Sequence, residues 1–150
     1  MDFHLEALLN LPNVTVESCT QEGQQAFLKL RFLNEFGTCP HCQNLSDQLH
    51  QNRPIWIRDL PISGQAVYLH IPRRQFYCAS CQRYFTERLS FVDWERRYTQ
   101  RYETAIYQRV QTTSVEQVSR EEDLSWDQVQ GIFQHQFDSK KKRIGGKSNG

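Results

Sequence analysis

Four of the five cysteines form two Cys-x-x-Cys pairs, Cys39 with Cys42 and Cys78 with Cys81. A tight turn at each pair aims two thiolates at one ion, and two such turns supply the four sulfurs of a closed tetrahedral zinc site. Closed coordination leaves no position for water or substrate. The spacing therefore predicts a structural Zn²⁺ and not a catalytic one.

Two other uses of these cysteines are weaker. A redox Cys-x-x-Cys site needs one pair at the start of a helix, whereas here two pairs follow turns. A histidine, His41 or His50, is a substitute ligand, but four sulfurs already complete the coordination. Cys19, the fifth thiol, is expected to be a small buried hydrophobe in a strand.

The composition is ordinary for a soluble protein but lean in core residues, with 38% hydrophobic and 23% charged residues in 150. A small domain with a lean core often needs a staple such as a metal. No apolar run is long enough to cross a bilayer, and no basic region followed by an apolar stretch begins the chain. The sequence predicts a cytoplasmic protein without a membrane partner.

Positive charge is concentrated in the middle of the chain. Residues 1–52 carry two basic and six acidic groups, residues 53–109 carry ten and five, and residues 110–150 carry six of each. This field suits a polyanion such as nucleic acid, although a mixed solvated surface gives the same bias. Guanidinium groups fit phosphate geometry. The predicted phosphate contacts are Arg73, Arg74, Arg83, Arg97 and Arg101.

The elements that must position these residues follow from hydrophobic periodicity and turn signals. Alternation in the strand before the second cysteine pair places Arg74, Phe76 and Cys78 on one face. We expect Phe76 and Phe85 to be core. The predicted elements are a short helix over 3–11, strands at 14–16, 27–32, 55–60, 66–71 and 84–86, a helix that begins near Trp94 and carries an apolar stripe from Tyr98 to Val110, and helices over 114–122 and 125–137.

The last two predicted helices fit a helix-turn-helix, since a three- or four-residue turn joins them and Ser125 is a good N-cap for the second. An ordinary helical hairpin shows the same pattern, and the acidic cluster of Glu121, Glu122 and Asp123 fits poorly against phosphates. Glutamine pairs bidentately with adenine in the major groove. The predicted base contacts are Gln128, Gln130 and Gln134.

These elements predict an α+β protein in three parts. A small β-rich, zinc-ribbon-like domain covers residues 1–90, and a helical helix-turn-helix domain covers residues 91–138. A flexible basic tail, without apolar periodicity, is predicted for residues 139–150.

A string of short segments in this order resembles the N-terminal zinc-finger and helix-turn-helix region of bacterial insertion-sequence transposases of the ISL3 group. The resemblance covers roughly residues 1–137. The segments are Cys39-Pro40-His41-Cys42, Arg58-Asp59-Leu60-Pro61 with Gly64, Arg73 to Cys81, Phe85-Thr86-Glu87-Arg88, Tyr98-Thr99, and Ser125-Trp126-Asp127-Gln128-Val129.

The resemblance implies binding of double-stranded DNA at an element's terminal inverted repeats. In that family, a downstream RNase H-like domain with three metal-binding carboxylates cuts and joins DNA. This chain has no carboxylate side chain after Asp138. The expectation is therefore DNA binding without catalysis, by a truncated transposase or a regulator that is nucleoid-associated when bound and needs no small-molecule substrate.

Further partners are implied as well: a second copy of the chain, or a full-length transposase. Two other functions stay open. One is a zinc-stabilised protein–protein interaction module, for which the acidic residues 1–52 are suited. The other is an accessory subunit that acts with a separate catalytic chain.

Overall fold

The computed structural model describes residues 5–148, with side chains as far as residue 142. Its contacts divide the chain into two compact units, Met1–Thr99 and Gln100–Gly150. The first unit is β-rich and the second is helical, which confirms the α+β class. None of the helices in the described residues is long and apolar enough to span a membrane.

Among its described residues, the first unit contains one short helix and nine strands. They are α1 Leu5–Leu9, β1 Val14–Glu22, β2 Gln25–Phe32, β3 Gly37–Thr38, β4 Leu45–Ser46, β5 Leu49–Asn52, β6 Ile55–Ile62, β7 Gln65–Ile71, β8 Arg74–Cys78 and β9 Arg83–Thr86. The predicted strands at 14–16 and 27–32 form the hairpin β1–β2, and those at 55–60 and 66–71 form the hairpin β6–β7; their turns contain Gly23 and Gly64, which have positive φ.

A four-stranded sheet in the order β1-β2-β7-β6 forms the body of the first unit. The two hairpins join through parallel pairing of β2 with β7, from Gln25 opposite Ala66 to Lys29 opposite His70. One face of the sheet carries the core. This core is formed by Leu9, Val14, Ala26, Leu28, Leu30, Phe32, Ile57, Val67, Leu69, Ile71 and Val92.

A three-stranded sheet in the order β5-β8-β9, together with the small β3–β4 pair, positions the cysteines. The burial of β8 alternates as predicted, with Arg74, Phe76 and Cys78 buried and the residues between them half-buried. Phe76 and Phe85 are buried, which confirms their place in the core. Strand β5, which pairs with β8, is not predicted by the sequence.

The part of the second unit that the structure describes, as far as residue 148, consists of three helices: α2 Gln100–Thr112, α3 Val115–Glu122 and α4 Trp126–Ser148. The predicted apolar stripe is confirmed in α2, where Tyr102 and Ile106 are buried. Helices α3 and α4 contribute Val118, Val129 and Ile132, each fully buried, to the interior of this unit.

Several predictions need correction. Cys19 is exposed, so its expected burial is wrong. The segment from Trp94 to Thr99 precedes the helix, which begins only at Gln100. Residues Arg97 to Thr99 instead extend alongside β6: the Arg58 N–H donates to the Arg97 carbonyl, and the Thr99 N–H donates to the Arg58 carbonyl, each at 2.9 Å.

The C-terminal helix is longer than predicted. Helix α4 continues to Ser148, past the expected end at Phe137, and so covers most of the segment predicted to be a flexible tail. Residues 149–150 of that segment lie outside the described residues. Within the second unit, the Lys140 Nζ lies 4.9 Å from the centroid of the Tyr107 ring, a cation–π contact that helps to hold this part of the helix.

Candidate metal centre and nucleic-acid interface

The structure brings the four predicted cysteine ligands together. One sulfur from each of Cys39, Cys42, Cys78 and Cys81 lies within 4.8 Å of all the others. The Sγ atoms of Cys39 and Cys81 are 3.9 Å apart, and those of Cys42 and Cys78 are 3.5 Å apart. A tetrahedral ion with zinc–sulfur bonds of about 2.3 Å requires sulfur–sulfur distances of about 3.8 Å. The donor set and its spacing therefore fit zinc.

Each Cys-x-x-Cys pair forms the same kind of turn. The residue after its second cysteine, Gln43 in one pair and Gln82 in the other, has a left-handed backbone with φ of 66° and 56°. In the first pair, the Gln43 N–H donates to the Cys39 carbonyl at 2.9 Å. An amide-to-hydroxyl hydrogen bond from Asn44 to Ser80, 2.9 Å long, ties the two turns together.

The cysteine cluster lies on an aromatic floor. Cys39 and Cys78 are almost fully buried against Phe76 and Phe85, whose ring centroids are 5.8 Å apart. Gly37 permits this packing, because a Cβ at that position would lie 2.7 Å from ring carbons of Phe76. The floor shields the sulfurs from water on one side.

The four thiols influence one another strongly. Burial raises the pKa of Cys39, but backbone N–H donors at Cys42 and His41 outweigh it and lower that pKa to about 7. The thiol hydrogen bond with Cys42, then burial, raises the pKa of Cys81 to about 12. A negative charge on one sulfur of this cluster therefore makes ionisation of a neighbouring thiol less favourable. A divalent cation allows all four sulfurs to be anionic.

Arg74 does not lie on the surface as its predicted phosphate contact requires. Its guanidinium is buried and forms a two-pronged ion pair with Glu87, with Nε–Oε1 at 2.5 Å and Nη2–Oε2 at 2.9 Å. It also donates to the Asn34 carbonyl at 2.9 Å and lies 4.5 Å from the centre of the Phe32 ring. Arg74 therefore joins the two sheets of the first unit.

The other predicted phosphate arginines are placed differently. Arg83 and Arg97 are exposed, while Arg73 and Arg101 are half-buried. The guanidinium of Arg73 stacks on the indole of Trp94, with its Cζ 5.6 Å from the ring centroid. These positions leave phosphate contact by the four as a prediction.

The turn between α3 and α4 is closed by caps at each side. Asp123 ends α3 in the left-handed conformation, with φ 54° and ψ 46°, and its N–H donates to the Ser119 carbonyl. Ser125 and Gln128 form a reciprocal capping box at the start of α4, since each side chain accepts from the other's backbone N–H at 3.0 and 2.8 Å. The helix starts predicted near Ser114 and Ser125 are confirmed.

Of the three candidate glutamines, Gln130 and Gln134 are four residues apart and share a side of α4, whereas Gln128 lies two residues before Gln130, on a different side of the helix. Gln134 is exposed and donates to Asp138 at 3.0 Å, and Gln130 is half-buried. The Gln128 oxygen is used in the capping box, which leaves only its amide N–H₂ for another partner. Between them lies Gly131, where an added Cβ would meet open space.

The acidic cluster that fits poorly against phosphates is only partly buried: Glu122 is half-buried, while Glu121 and Asp123 are exposed. Glu122 accepts from the Tyr102 hydroxyl at 2.7 Å and from the Arg109 guanidinium at 2.6 Å. Glu121 pairs with Arg109 as well, and hydrogen bonding from Gln117 together with the charge of Arg109 lowers the pKa of Glu121. The single cation of Arg109 therefore offsets part of the negative charge near the α3–α4 turn.

Sequence reasoning missed Arg53, Arg88 and Trp94 as a group. The Arg53 N–H donates to the Arg73 carbonyl at 3.0 Å, and the Arg88 Cζ lies 4.7 Å from the centroid of the Trp94 ring. The charge bias of residues 53–109 includes both arginines, but only strand register reveals that they are neighbours.

The four-cysteine cluster and the capped turn between α3 and α4 both lie in regions that match domains of transposases. Residues 35–81 match the zinc-finger of transposase IS204/IS1001/IS1096/IS1165, and residues 87–136 match the helix-turn-helix domain of transposase family ISL3. The chain therefore carries both of these regions of the ISL3 transposase family, which confirms the predicted resemblance.

A curated relative is the transposase for insertion sequence element IS1001 of Bordetella parapertussis. It is 35% identical over 94 residues, which cover 63% of this chain and 23% of that protein. The chain thus spans less than a quarter of the relative it matches. No solved structure matches the chain.

Proposed function

We propose that this protein binds double-stranded DNA sequence-specifically at the terminal inverted repeats of an insertion element. One observation carries the proposal: α3 and α4 form a closely capped helical pair within the region that matches the ISL3 helix-turn-helix. In such a pair the second helix enters the major groove, and the side chains of its outward face reach base edges. Here that helix is α4.

Gln130 and Gln134 are the proposed base contacts on α4. They lie on the side opposite Val129 and Ile132, which are fully buried. Gln128 acts chiefly as a capping residue, with its amide N–H₂ directed to DNA. Arg83, Arg97 and Arg101 are proposed to contact phosphates, while Arg74 holds the fold through Glu87.

Zn²⁺ is the proposed occupant of the cysteine cluster, held by Cys39, Cys42, Cys78 and Cys81. The ion would be a structural staple: with it bound, all four sulfurs are thiolates and the two turns are fixed to one point. The first unit has a small core, so this staple contributes directly to its folding.

The proposed role is binding and not strand cutting. The two matched regions are a zinc finger and a helix-turn-helix. Among the described residues, the candidate metal group consists of four cysteines, and their closed coordination leaves no place for a reacting water. A protein of this kind, cytoplasmic and nucleoid-associated, would occupy the element's ends.

Fluorescence anisotropy with labelled duplexes tests the proposal. We expect Gln134→Ala to weaken binding to the terminal repeat by about 1–3 kcal/mol and to relax specificity at one base pair. Gln65→Ala is the matched control, since this glutamine lies in the first unit and bonds only to Gln21 at 2.8 Å. A Gln134→Ala variant that binds the repeat as tightly as Gln65→Ala does, and discriminates against a scrambled duplex equally well, would refute base reading by Gln134.

Contact with another protein chain is a second candidate, favoured by an aromatic cluster on the sheet face away from the core. Phe27 stacks on Tyr68 at 5.3 Å, and Trp56, which is 51% exposed, stacks on His70 at 4.5 Å. We propose a second copy, or a full-length transposase, as the partner. Sedimentation equilibrium should show an oligomer that Trp56→Ser dissociates; a monomer at all concentrations excludes self-association.

A further inference from the structure

The three-stranded sheet that carries Cys78 presents a second candidate site at its other end. Antiparallel register pairs Asn52 with Arg74 and Gln75 with Thr86. Extending both ladders beyond their last pairs brings Arg53, Arg73 and Arg88 side by side. The Arg53 N–H bond to the Arg73 carbonyl, 3.0 Å long, confirms the first of these neighbours.

These three residues, the arginine row, share the outer face of the sheet. Burial alternates along β8, so Arg74 points inward to Glu87 while Arg73 points outward. The Glu87 N–H donates to the Arg74 carbonyl at 3.0 Å, which fixes the backbone under Arg88. The backbone on either side of the row is therefore held by the buried ion pair of Arg74 with Glu87.

Trp94 holds two of the guanidinium groups. The Cζ atoms of Arg73 and Arg88 lie 5.6 and 4.7 Å from the centroid of its indole, which is 44% exposed. Cation–π stacking fixes the planes of both groups at little further entropic cost. Two cations therefore stand pre-oriented within about 10 Å of each other.

Such an arrangement is unfavourable unless an anion completes it. Like charges that face each other across strands destabilise a sheet. Within the described part of the chain, no carboxylate forms an ion pair with Arg53, Arg73 or Arg88, in contrast to Arg31, which lies 3.4 Å from Glu17. Neighbouring positive charges without a compensating carboxylate in a folded protein mark a binding site.

We infer that the arginine row is a binding site for the phosphates of the DNA backbone. Guanidinium forks match phosphate oxygens, and two fixed forks can span neighbouring phosphates of one strand. The inference rests on the proposed DNA binding and adds to it a contact surface on the first unit that reads no sequence and sets register.

The test is the salt dependence of binding to a short duplex of arbitrary sequence. Each phosphate contact contributes about 0.9 to the slope of log K against log salt. The double variant Arg73→Gln with Arg88→Gln should therefore lower the magnitude of the slope by about 1.8. Arg31→Gln removes an arginine charge that Glu17 already compensates, and its slope should stay near that of the wild type.

A second pair of substitutions separates geometry from charge. Arg73→Lys with Arg88→Lys keeps both charges but loses the planar forks that stack on Trp94. It should keep most of the slope and bind more weakly at every salt concentration. This pair also serves if the glutamine variant loses zinc or secondary structure, and wild-type affinity in the lysine pair would then overturn the site.

The outcomes distinguish this inference from the proposed function. Wild-type protein that binds no duplex contradicts both. Wild-type protein that binds, with a slope and affinity that neither double substitution changes, contradicts the arginine row alone. A loss of slope in Arg31→Gln as large as in the double glutamine variant would also overturn it, because the effect would then be one of total charge.

Discussion

Arg74 shows how a single residue can satisfy a sequence pattern and serve another purpose. It lies in a basic stretch beside the second cysteine pair, where a phosphate contact is a natural prediction. In the structure, its side chain is 10% exposed and that of Glu87 is 12% exposed. Neither member of such a buried ion pair can be removed without leaving the other charge unpaired in the interior, which is energetically costly.

Removal of one partner should therefore be costly. We expect Glu87→Ala to lower the free energy of unfolding by about 3–5 kcal/mol, because an unpaired guanidinium is left buried. Urea denaturation of the zinc-loaded protein measures the change. The control is Glu17→Ala, which removes a surface partner of Lys29 and Arg31 and should cost about 0–1 kcal/mol. Equal effects of the two would contradict the structural role of the pair.

A second prediction at the scale of single residues concerns the cysteines. Cys81→Ser removes one of the four sulfurs, and we expect the bound zinc to fall well below one ion per chain, with a loss of thermal stability. Elemental analysis after gel filtration measures the metal. Cys19→Ser is the matched control, since Cys19 is exposed and outside the cluster. Stoichiometric zinc in the Cys81 variant would show that the four-sulfur site is misassigned.

At the scale of elements, two glycines allow an effect on packing to be distinguished from an effect on DNA binding. Gly37 precedes the first cysteine pair, and Gly131 lies inside α4. A Cβ at Gly37 would collide with Phe76, whereas a Cβ at Gly131 meets nothing within 4 Å. A glycine inside a helix costs about 0.5–1 kcal/mol relative to alanine, so open space at Gly131 leaves its presence without an internal reason. Close approach of a DNA groove supplies one.

Matched alanine substitutions should therefore have opposite effects. Gly37→Ala is expected to destabilise the protein by about 1–3 kcal/mol through overpacking, and to weaken zinc binding. Gly131→Ala should stabilise α4 by about 0.5–1 kcal/mol and yet weaken DNA binding. Thermal melts and anisotropy measure the two quantities. A Gly131 variant that is more stable and binds DNA as well as the wild type would exclude close approach at that residue.

Local pattern predicts most elements here but few of their pairings. Alternating side chains and turn glycines predict β1, β2, β6 and β7, because both signals lie within a few residues. The parallel pairing of β2 with β7 is not predicted, since it joins residues about 40 apart and leaves no local mark. Strand β5 is polar and short, and only its partner β8 makes it a strand.

The end of α4 and the start of α2 show the same limit of prediction from local sequence pattern. Helix α4 outlasts its apolar periodicity because its later part also contacts α2, as in the cation–π contact of Lys140 with Tyr107 at 4.9 Å. The start of α2 is delayed because Thr99 donates to Asp59 at 2.7 Å, a bond between distant residues that are both buried. The four-cysteine cluster was predictable, since the spacing of the two Cys-x-x-Cys pairs alone indicates that their sulfurs come together.

The whole chain presents candidate DNA contacts of two kinds, one in each compact unit. The first unit contains the sheet that positions the four cysteines. The arginine row on this sheet suits backbone phosphates. The second carries α4, whose polar face suits base edges. This division matches the usual one between contacts that position a protein on DNA and contacts that specify a sequence.

Binding of the zinc-loaded chain to a duplex that carries the element's terminal repeat, compared with a scrambled duplex of equal length, is the measurement that tests this account most directly. Anisotropy at physiological salt should show the repeat bound more tightly by a factor of about 10³ or more. Affinity for both should fall steeply with added salt. Equal affinity for the two duplexes, or no binding by protein that holds its zinc, would contradict the account.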